Sequence, residues 1–265
     1  MHRSSPSQDL RITLIQTELH WQQPETNRRM LTDKLAPLAG NTDLIILPEM
    51  FSTGFSMAPE QLAEPEPGET LRWMQQQAQQ TGAAITGSVM VQDDQGFRNR
   101  LYWVTPDGQV QHYDKRHLFR MASEQEHYVA GQQRLVVNYR GWRILPQVCY
   151  DLRFPVFSRN RGDYDLAIYV ANWPESRRHA WRILLQARAI ENLSYVAGVN
   201  RVGTDGKGLS YSGDSLLADF AGQLLLDHQA GGRFVETRTL SAEQLNGFRN
   251  SFPAWQDADD FSLLS

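Results

Sequence analysis

The chain has 265 residues and a mass of 30.3 kDa, with 41% hydrophobic residues, 21% charged residues and one cysteine, Cys149, which is enough apolar material for a sizeable buried core. A solitary thiol can form neither an internal disulfide nor a multi-cysteine zinc or iron–sulfur site, which excludes a secreted, disulfide-stapled scaffold. The 26 basic and 30 acidic residues give a net charge of −4 and are mixed along the chain, so there is no basic stripe for phosphates and no nucleic-acid partner is expected.

The opening Met1-His2-Arg3-Ser4-Ser5-Pro6-Ser7 is polar and lacks the apolar stretch of a signal peptide. Apolar runs such as Leu166 to Ala171 are far shorter than a membrane span. A cytoplasmic, reducing location with no membrane partner is the expectation. No linker, low-complexity tract or fixed-period repeat divides the chain. One domain over residues 10–265 is therefore expected, behind a flexible tail of residues 1–9.

Leu10, Ile12 and Leu14 alternate with Arg11 and Thr13, the period of a half-buried strand. A helix follows Pro24, with Met30, Leu31, Leu35 and Leu38 on one face, and Asp43 to Leu47 is the continuous apolar run of a strand covered on both sides. The pattern recurs as a helix near Glu69 to Gln80 and a strand at Ala84 to Val91, the order expected of α/β crossover units. The segments Leu101 to Thr105 and Val110 to Tyr113 flank Pro106-Asp107-Gly108, a turn signal for an antiparallel hairpin, so the sheet is predicted to be mixed. Further strands are predicted at Trp142 to Val148, Leu166 to Val170, Tyr195 to Asn200, Ser215 to Asp219 and Phe234 to Thr239, with a long helix from about Arg178 to Asn192. From Ser241 the chain reads as a short helix and then a tail containing Trp255 that must dock.

Three polar residues fall just past predicted strands: Glu49 after Leu44 to Leu47, Lys115 after Val110 to Tyr113, and Cys149 after Ile144 to Val148. Strand ends in α/β sheets are where sites are built, since the sheet fixes the residue and the loop leaves it accessible. A thiol with a pKa near ~8.5 is mostly protonated at neutral pH and needs a base or a cation to act as a nucleophile. Glu49 could take its proton, Lys115 could stabilise thiolate and oxyanion, and the backbone N–H of Tyr150 could be a second oxyanion donor. Taken singly, each residue also has an ordinary role: a small core cysteine, a capping or solvent-facing glutamate, and a lysine in the charged turn Asp114-Lys115-Arg116.

Three ordered motifs decide between these readings: Leu47-Pro48-Glu49-Met50-Phe51, then Tyr113-Asp114-Lys115-Arg116-His117-Leu118-Phe119, then Val148-Cys149-Tyr150-Asp151-Leu152-Arg153-Phe154-Pro155. With Asn172-Trp173 and Ala187-Arg188-Ala189-Ile190-Glu191-Asn192, they resemble the carbon–nitrogen hydrolase (nitrilase) superfamily over about Leu10 to Thr239. Within it, the wording around Lys115 and Cys149, the Arg-Gly-Trp-Arg-Ile segment and the Phe-Pro-Ala-Trp-Gln-Asp tail are most similar to the bacterial omega-amidase branch.

The resemblance implies a four-layer αββα sandwich of two mixed sheets flanked by helices, commonly paired into homodimers or higher oligomers. It also implies a catalytic triad of Glu49, Lys115 and Cys149, with no metal and no organic cofactor. A second family glutamate, followed by an aromatic and a glycine, maps to Glu124 with Tyr128 and Gly131; Glu126 lies close, but the spacing favours Glu124. Its implied role is to orient Lys115. The implied reaction is attack of Cys149 on a terminal amide, loss of ammonia and hydrolysis of the thioester, with small dicarboxylic monoamides such as alpha-ketoglutaramate and succinamate as substrates. An N-carbamoyl or broad aliphatic amidase of the same superfamily would keep the triad and differ in the pocket.

A substrate carboxylate needs a cation, for which Arg153, Arg177, Arg178 and Arg201 are available. Phe51 and Trp173 are the candidate pocket walls. His112, His117 and His127 lack a metal-ligand frame, and Gly203, Gly206 and Gly208 read as a turn, since they fit no phosphate-binding pattern.

Overall fold

The computed structural model describes residues 5–263, and these contain fifteen strands. In chain order they are β1 (Leu10–Gln16), β2 (Leu44–Ile46), β3 (Glu64–Pro65), β4 (Ala84–Asp93), β5 (Gly96–Val104), β6 (Val110–Asp114), β7 (Val137–Tyr139), β8 (Trp142–Val148), β9 (Leu166–Ala171), β10 (Tyr195–Asn200), β11 (Val202–Thr204), β12 (Ser210–Ser212), β13 (Leu216–Ala218), β14 (Leu224–Asp227) and β15 (Phe234–Leu240). The helices are α1 (Pro24–Leu35), α2 (Pro59–Leu62), α3 (Glu69–Thr81), α4 (Glu124–His127), α5 (Pro155–Ser158), α6 (Arg178–Asn192) and α7 (Ala242–Ser251).

The strands form two large mixed sheets. The first runs β15-β1-β2-β4-β5-β6, with β3 alongside β4; β1, β2 and β4 are parallel and the outer pairs antiparallel. The second runs β14-β13-β10-β9-β8-β7, with β8, β9 and β10 parallel. The predicted turn at Pro106-Asp107-Gly108 closes the β5–β6 hairpin, with Gly108 in the left-handed region at φ 84° and its N–H donating to Thr105 O.

Strand periodicity explains the layering. Alternate residues point to opposite faces, so Leu44 and Ile46 pack between the sheets with Leu10, Ile12 and Leu14, while Ile45 points the other way, toward α1 and α3. In β9, Leu166, Ile168 and Val170 face the first sheet, and Ala167, Tyr169 and Ala171 face α6 with Trp181, Leu185 and Ala189. Both faces of each central strand are thus buried, which makes their sequences read as unbroken apolar runs. The result is a four-layer αββα sandwich. Pro146 is accommodated because β7 pairs with β8 only as far as Ile144, leaving the proline on an edge stretch.

Of the expected N-terminal tail, residues 1–4 lie outside the described residues. Pro6 O accepts from Asn246 Nδ2, Gln8 O from Trp142 Nε1, and Asp9 Oδ1 from the Ala242 N–H. At the other end Trp255 borders a groove shared with Arg159, Ile190 and Leu193. Among the described residues no helix is long and apolar enough to cross a membrane.

Candidate active site

Glu49 and Lys115 come from the first sheet, just past β2 and β6, and Cys149 from the second, directly after β8. Two of the turns are strained: Met50 and Cys149 have φ of 43° and 46°, the left-handed region that residues with a Cβ seldom adopt. At Cys149 this ends the strand and starts a tight helical turn over Cys149–Arg153, lifting the thiol from the sheet. Gly87 in β4 makes room for the Glu49 turn, since a Cβ there would sit 2.8 Å from Leu47 Cβ and 2.9 Å from Phe51 Cδ1.

The Lys115 ammonium is fully buried between two carboxylates. Its Nζ donates to Glu49 Oε1 at 2.9 Å and to Glu124 Oε1 and Oε2 at 3.0 and 2.9 Å. Glu124 Oε2 also accepts the Phe119 N–H at 2.6 Å, and Glu49 Oε2 accepts the Asn172 N–H at 2.8 Å. Asn172 Nδ2 donates to the Glu49 carbonyl at 2.6 Å, so one residue after β9 holds both ends of the glutamate. Asn99, in the middle of β5, donates from Nδ2 to Glu49 Oε1 at 2.8 Å and to Glu124 Oε1 at 3.3 Å.

These contacts set the ionisation of the site. Burial opposes charge on Lys115, but Glu124 and Glu49 outweigh it and raise its pKa, so the ammonium is permanent. Burial raises the Glu124 carboxyl, Lys115 pulling it down and Glu49 pushing it up. Burial also pushes the Cys149 thiol well above its ordinary value; the Glu49 carboxylate, its hydrogen-bond partner, adds to this and Lys115 only partly offsets it. One positive charge is shared by two carboxylates, so the resting sulfur keeps its proton, with Glu49 placed to take it.

A cavity of about 130 Å³ opens over Cys149. Lys115, Cys149, Tyr150 and Asn172 line its floor, and Phe55, Phe119, Trp173 and Leu209 form apolar walls. Trp173 is thus where the sequence placed it. Phe51 is not: it is fully buried on the opposite face of the first sheet, 5.7 Å from the Trp73 ring, because the turn at Met50 swings it toward Gly87. Of the four arginines, Arg153 and Arg177 border the cavity. Arg178 is paired with Asp214, and Arg201 is buried behind Tyr211, donating to the carbonyls of Leu19, Val202 and Thr204.

Glu124 is buried against Lys115, whereas Glu126 is exposed. Of the glycine-rich stretch expected to be a turn, Gly206 and Gly208 lie in the connection between β11 and β12 while Gly203 lies in β11 opposite Tyr211; the hairpin forms a wall of the cavity, contributing Asp205, Lys207, Leu209 and Tyr211. His117 donates its N–H to Asp151 at 3.0 Å and stacks on Phe154. Among the described residues no group of three or more His, Cys, Asp or Glu side chains is arranged to hold a metal ion.

The family profile of the carbon–nitrogen hydrolases matches residues 11–249. The chain is 51% identical to omega-amidase YafV of Escherichia coli (strain K12), covering 96% of this chain and 98% of that protein. It is 28% identical to 2-oxoglutaramate amidase of Bacillus subtilis (strain 168), over 93% and 96% of the two chains. A crystal structure of a CN-hydrolase superfamily protein from Xanthomonas campestris, with an arsenic adduct in its active site, superposes with a TM-score of 0.95 at 52% identity, over 97% of this chain and 99% of the other. Matched along nearly its whole length in sequence and in backbone, the chain belongs to the carbon–nitrogen hydrolase family.

Proposed function

We propose that the protein is an omega-amidase, hydrolysing the terminal amide of small dicarboxylic monoamides such as alpha-ketoglutaramate and succinamate through a Cys149 thioester. The observation that carries this reading is the meeting of Glu49, Lys115 and Cys149 under a cavity bordered by Arg153, Arg177 and Lys207, none of which has an ion-pair partner among the described residues. A nucleophile, a base and an oxyanion cation serve any amide; three unpaired cations against one carboxylate, Asp205, on a mainly apolar wall favour one that carries a carboxylate at its far end. The likeness to proteins named omega-amidase and 2-oxoglutaramate amidase supports the same substrate class.

In this mechanism Glu49 takes the thiol proton as Sγ bonds to the amide carbon. Lys115 and the Tyr150 N–H hold the oxyanion. The tetrahedral intermediate collapses as Glu49 returns the proton to the departing nitrogen, releasing ammonia and leaving an acyl thioester. Water then attacks, Glu49 accepting its proton, and the C–S bond breaks to restore the thiol. Glu124 holds Lys115 in place.

The test is ammonia release from succinamate, alpha-ketoglutaramate and N-carbamoyl-beta-alanine, with Cys149→Ala as the blank. A higher kcat/KM for the two monoamides supports the reading. Equal or reversed preference moves the protein to the N-carbamoyl or broad aliphatic branch, and activity surviving in Cys149→Ala removes the covalent mechanism.

A further inference from the structure

We propose that Asn99 is a positioning residue that closes one oxygen of each buried carboxylate to protons, so that Glu49 exchanges protons only through Oε2. This rests on the reading of Glu49 as the general base. It follows from counting acceptor sites, of which each carboxylate oxygen has about two. Glu49 Oε1 receives Lys115 Nζ at 2.9 Å and Asn99 Nδ2 at 2.8 Å and is full. Glu124 Oε1 receives Lys115 Nζ at 3.0 Å and Asn99 Nδ2 at 3.3 Å, and its Oε2 receives Lys115 Nζ at 2.9 Å and the Phe119 N–H at 2.6 Å. Glu124 therefore has no site left for a proton and acts as a fixed counter-charge. Glu49 Oε2 receives the Asn172 N–H, which leaves it one place, open to the Cys149 thiol that Glu49 partners.

The orientation of the Asn99 amide is dictated by its surroundings. Turned over, its carbonyl would face two carboxylates; as placed, both N–H groups are used and Oδ1 is buried without a partner. A buried orphan oxygen is a cost to the fold, tolerated here because the amide hydrogens are needed between the glutamates. Asn99 is also tied to the lysine through its backbone, its carbonyl accepting the Lys115 N–H at 3.0 Å. It does not line the cavity, so its influence on catalysis runs through Glu49. The other charged and titratable groups facing Glu49 are Lys115, Glu124, Cys149, Tyr128 and Tyr211.

The experiment is the pH profile of succinamate hydrolysis by Asn99→Leu and Asn99→Asp. Leucine keeps the branched shape and removes both the donor and the orphan oxygen; each buried carboxylate loses a donor, so thermal stability should fall whatever the role of Asn99, and the pH profile is the readout that separates positioning from structure. Loss of a hydrogen bond to a charged acceptor disfavours the carboxylate, which should move the acid limb of kcat/KM up by about one to two pH units. KM should be unchanged, and kcat at neutral pH should fall tenfold or more. Asn99→Asp, matched in size, puts a third acid between the two and should shift the limb at least as far; it decides the matter where the leucine variant is poorly folded. An acid limb that stays in place while kcat falls with thermal stability would reduce Asn99 to a structural residue and overturn the proposal. Wild-type protein that releases no ammonia from succinamate would instead count against the amidase reading.

Discussion

Tyr113 donates its hydroxyl to Asp151 Oδ2 at 2.8 Å, joining the strand that precedes Lys115 to the turn that follows Cys149. Asp151 is fully buried and also accepts the Val148 N–H and the His117 N–H, each at 3.0 Å. The Tyr113 oxygen in turn accepts the Arg116 N–H at 3.1 Å. Two of the three sequence motifs are thereby fixed to one another away from the reacting atoms. Tyr113→Phe leaves a buried carboxylate short of a donor and a backbone N–H without its acceptor, which should cost about 1–3 kcal/mol of stability and lower kcat with little change in KM. Thermal unfolding of the variant checks this, and an unchanged Tm would show that the link carries no stability.

A second expectation concerns the thiol. Burial first, and the Glu49 carboxylate second, raise the Cys149 pKa against the pull of Lys115. Alkylation of the native protein by iodoacetamide should therefore be slow at neutral pH and accelerate only above the ordinary thiol range. Glu49→Gln removes a negative charge beside the sulfur, so its alkylation midpoint should move to lower pH. Amide hydrolysis in the same variant should fall by about 10²–10⁴-fold, since the base is gone. Thiol reactivity and catalysis move in opposite directions only if Glu49 both represses the thiolate and does the proton transfer. With Cys149 the single cysteine, the label reports on no other site.

The central strands could be read from the sequence because doubly covered strands appear as apolar runs; Glu49, Lys115 and Cys149 stand at strand ends, but what singled them out was the order of three motifs and their resemblance to a family, not local pattern. The short strands β3 and β7 carry no such run and form by pairing with neighbours already in place. Phe51 shows where adjacency misleads. It lies two residues from Glu49, yet the left-handed Met50 puts the two on opposite sides of a sheet. Asn99 and Lys207 carry no motif; one reaches the site through strand pairing and the other through a hairpin packed over the cavity, neither of which is visible before the chain is folded.

The cations at the cavity mouth lead to a test of substrate choice. Arg153 stacks over the Trp173 ring at 5.0 Å, and Arg177 over Phe119 at 5.5 Å, with Arg177 Nη2 also donating to Met121 Sδ at 2.8 Å, which leaves N–H groups of both for a ligand. Lys207 is exposed on the hairpin turn. Replacing the cation that meets the substrate carboxylate, by Arg153→Met, Arg177→Met or Lys207→Met, should raise the KM for succinamate by about ten- to a hundredfold, the worth of a charge-assisted hydrogen bond. Hydrolysis of butyramide, of similar length and uncharged, should be unaffected in the same variant. If all three variants retain the native ratio of the two activities, the carboxylate is recognised elsewhere.

One ring packs against the turn of the hairpin. Trp21 lies between Gly54, where a Cβ would approach its Cε3 to 3.1 Å, and Gly206, where a Cβ would meet its Cδ1 at 2.2 Å. Gly206→Ala therefore forces the indole or the turn to move, and the turn carries Lys207 and Leu209 into the cavity wall. Overpacking of this kind should cost about 1–3 kcal/mol and raise the KM for succinamate, while leaving the Cys149 alkylation profile as it was. The cause is tested by a double-mutant cycle with Trp21→Leu, which makes space for the added methyl. If the clash is responsible, Gly206→Ala should do less damage in the Trp21→Leu background than in the native one, with a coupling of about 0.5–3 kcal/mol. Additive effects would mean that the hairpin is placed by its own hydrogen bonds, chiefly those from the Lys207 N–H, the Leu209 N–H and the Tyr211 hydroxyl to Asp205, and that the tryptophan is a bystander.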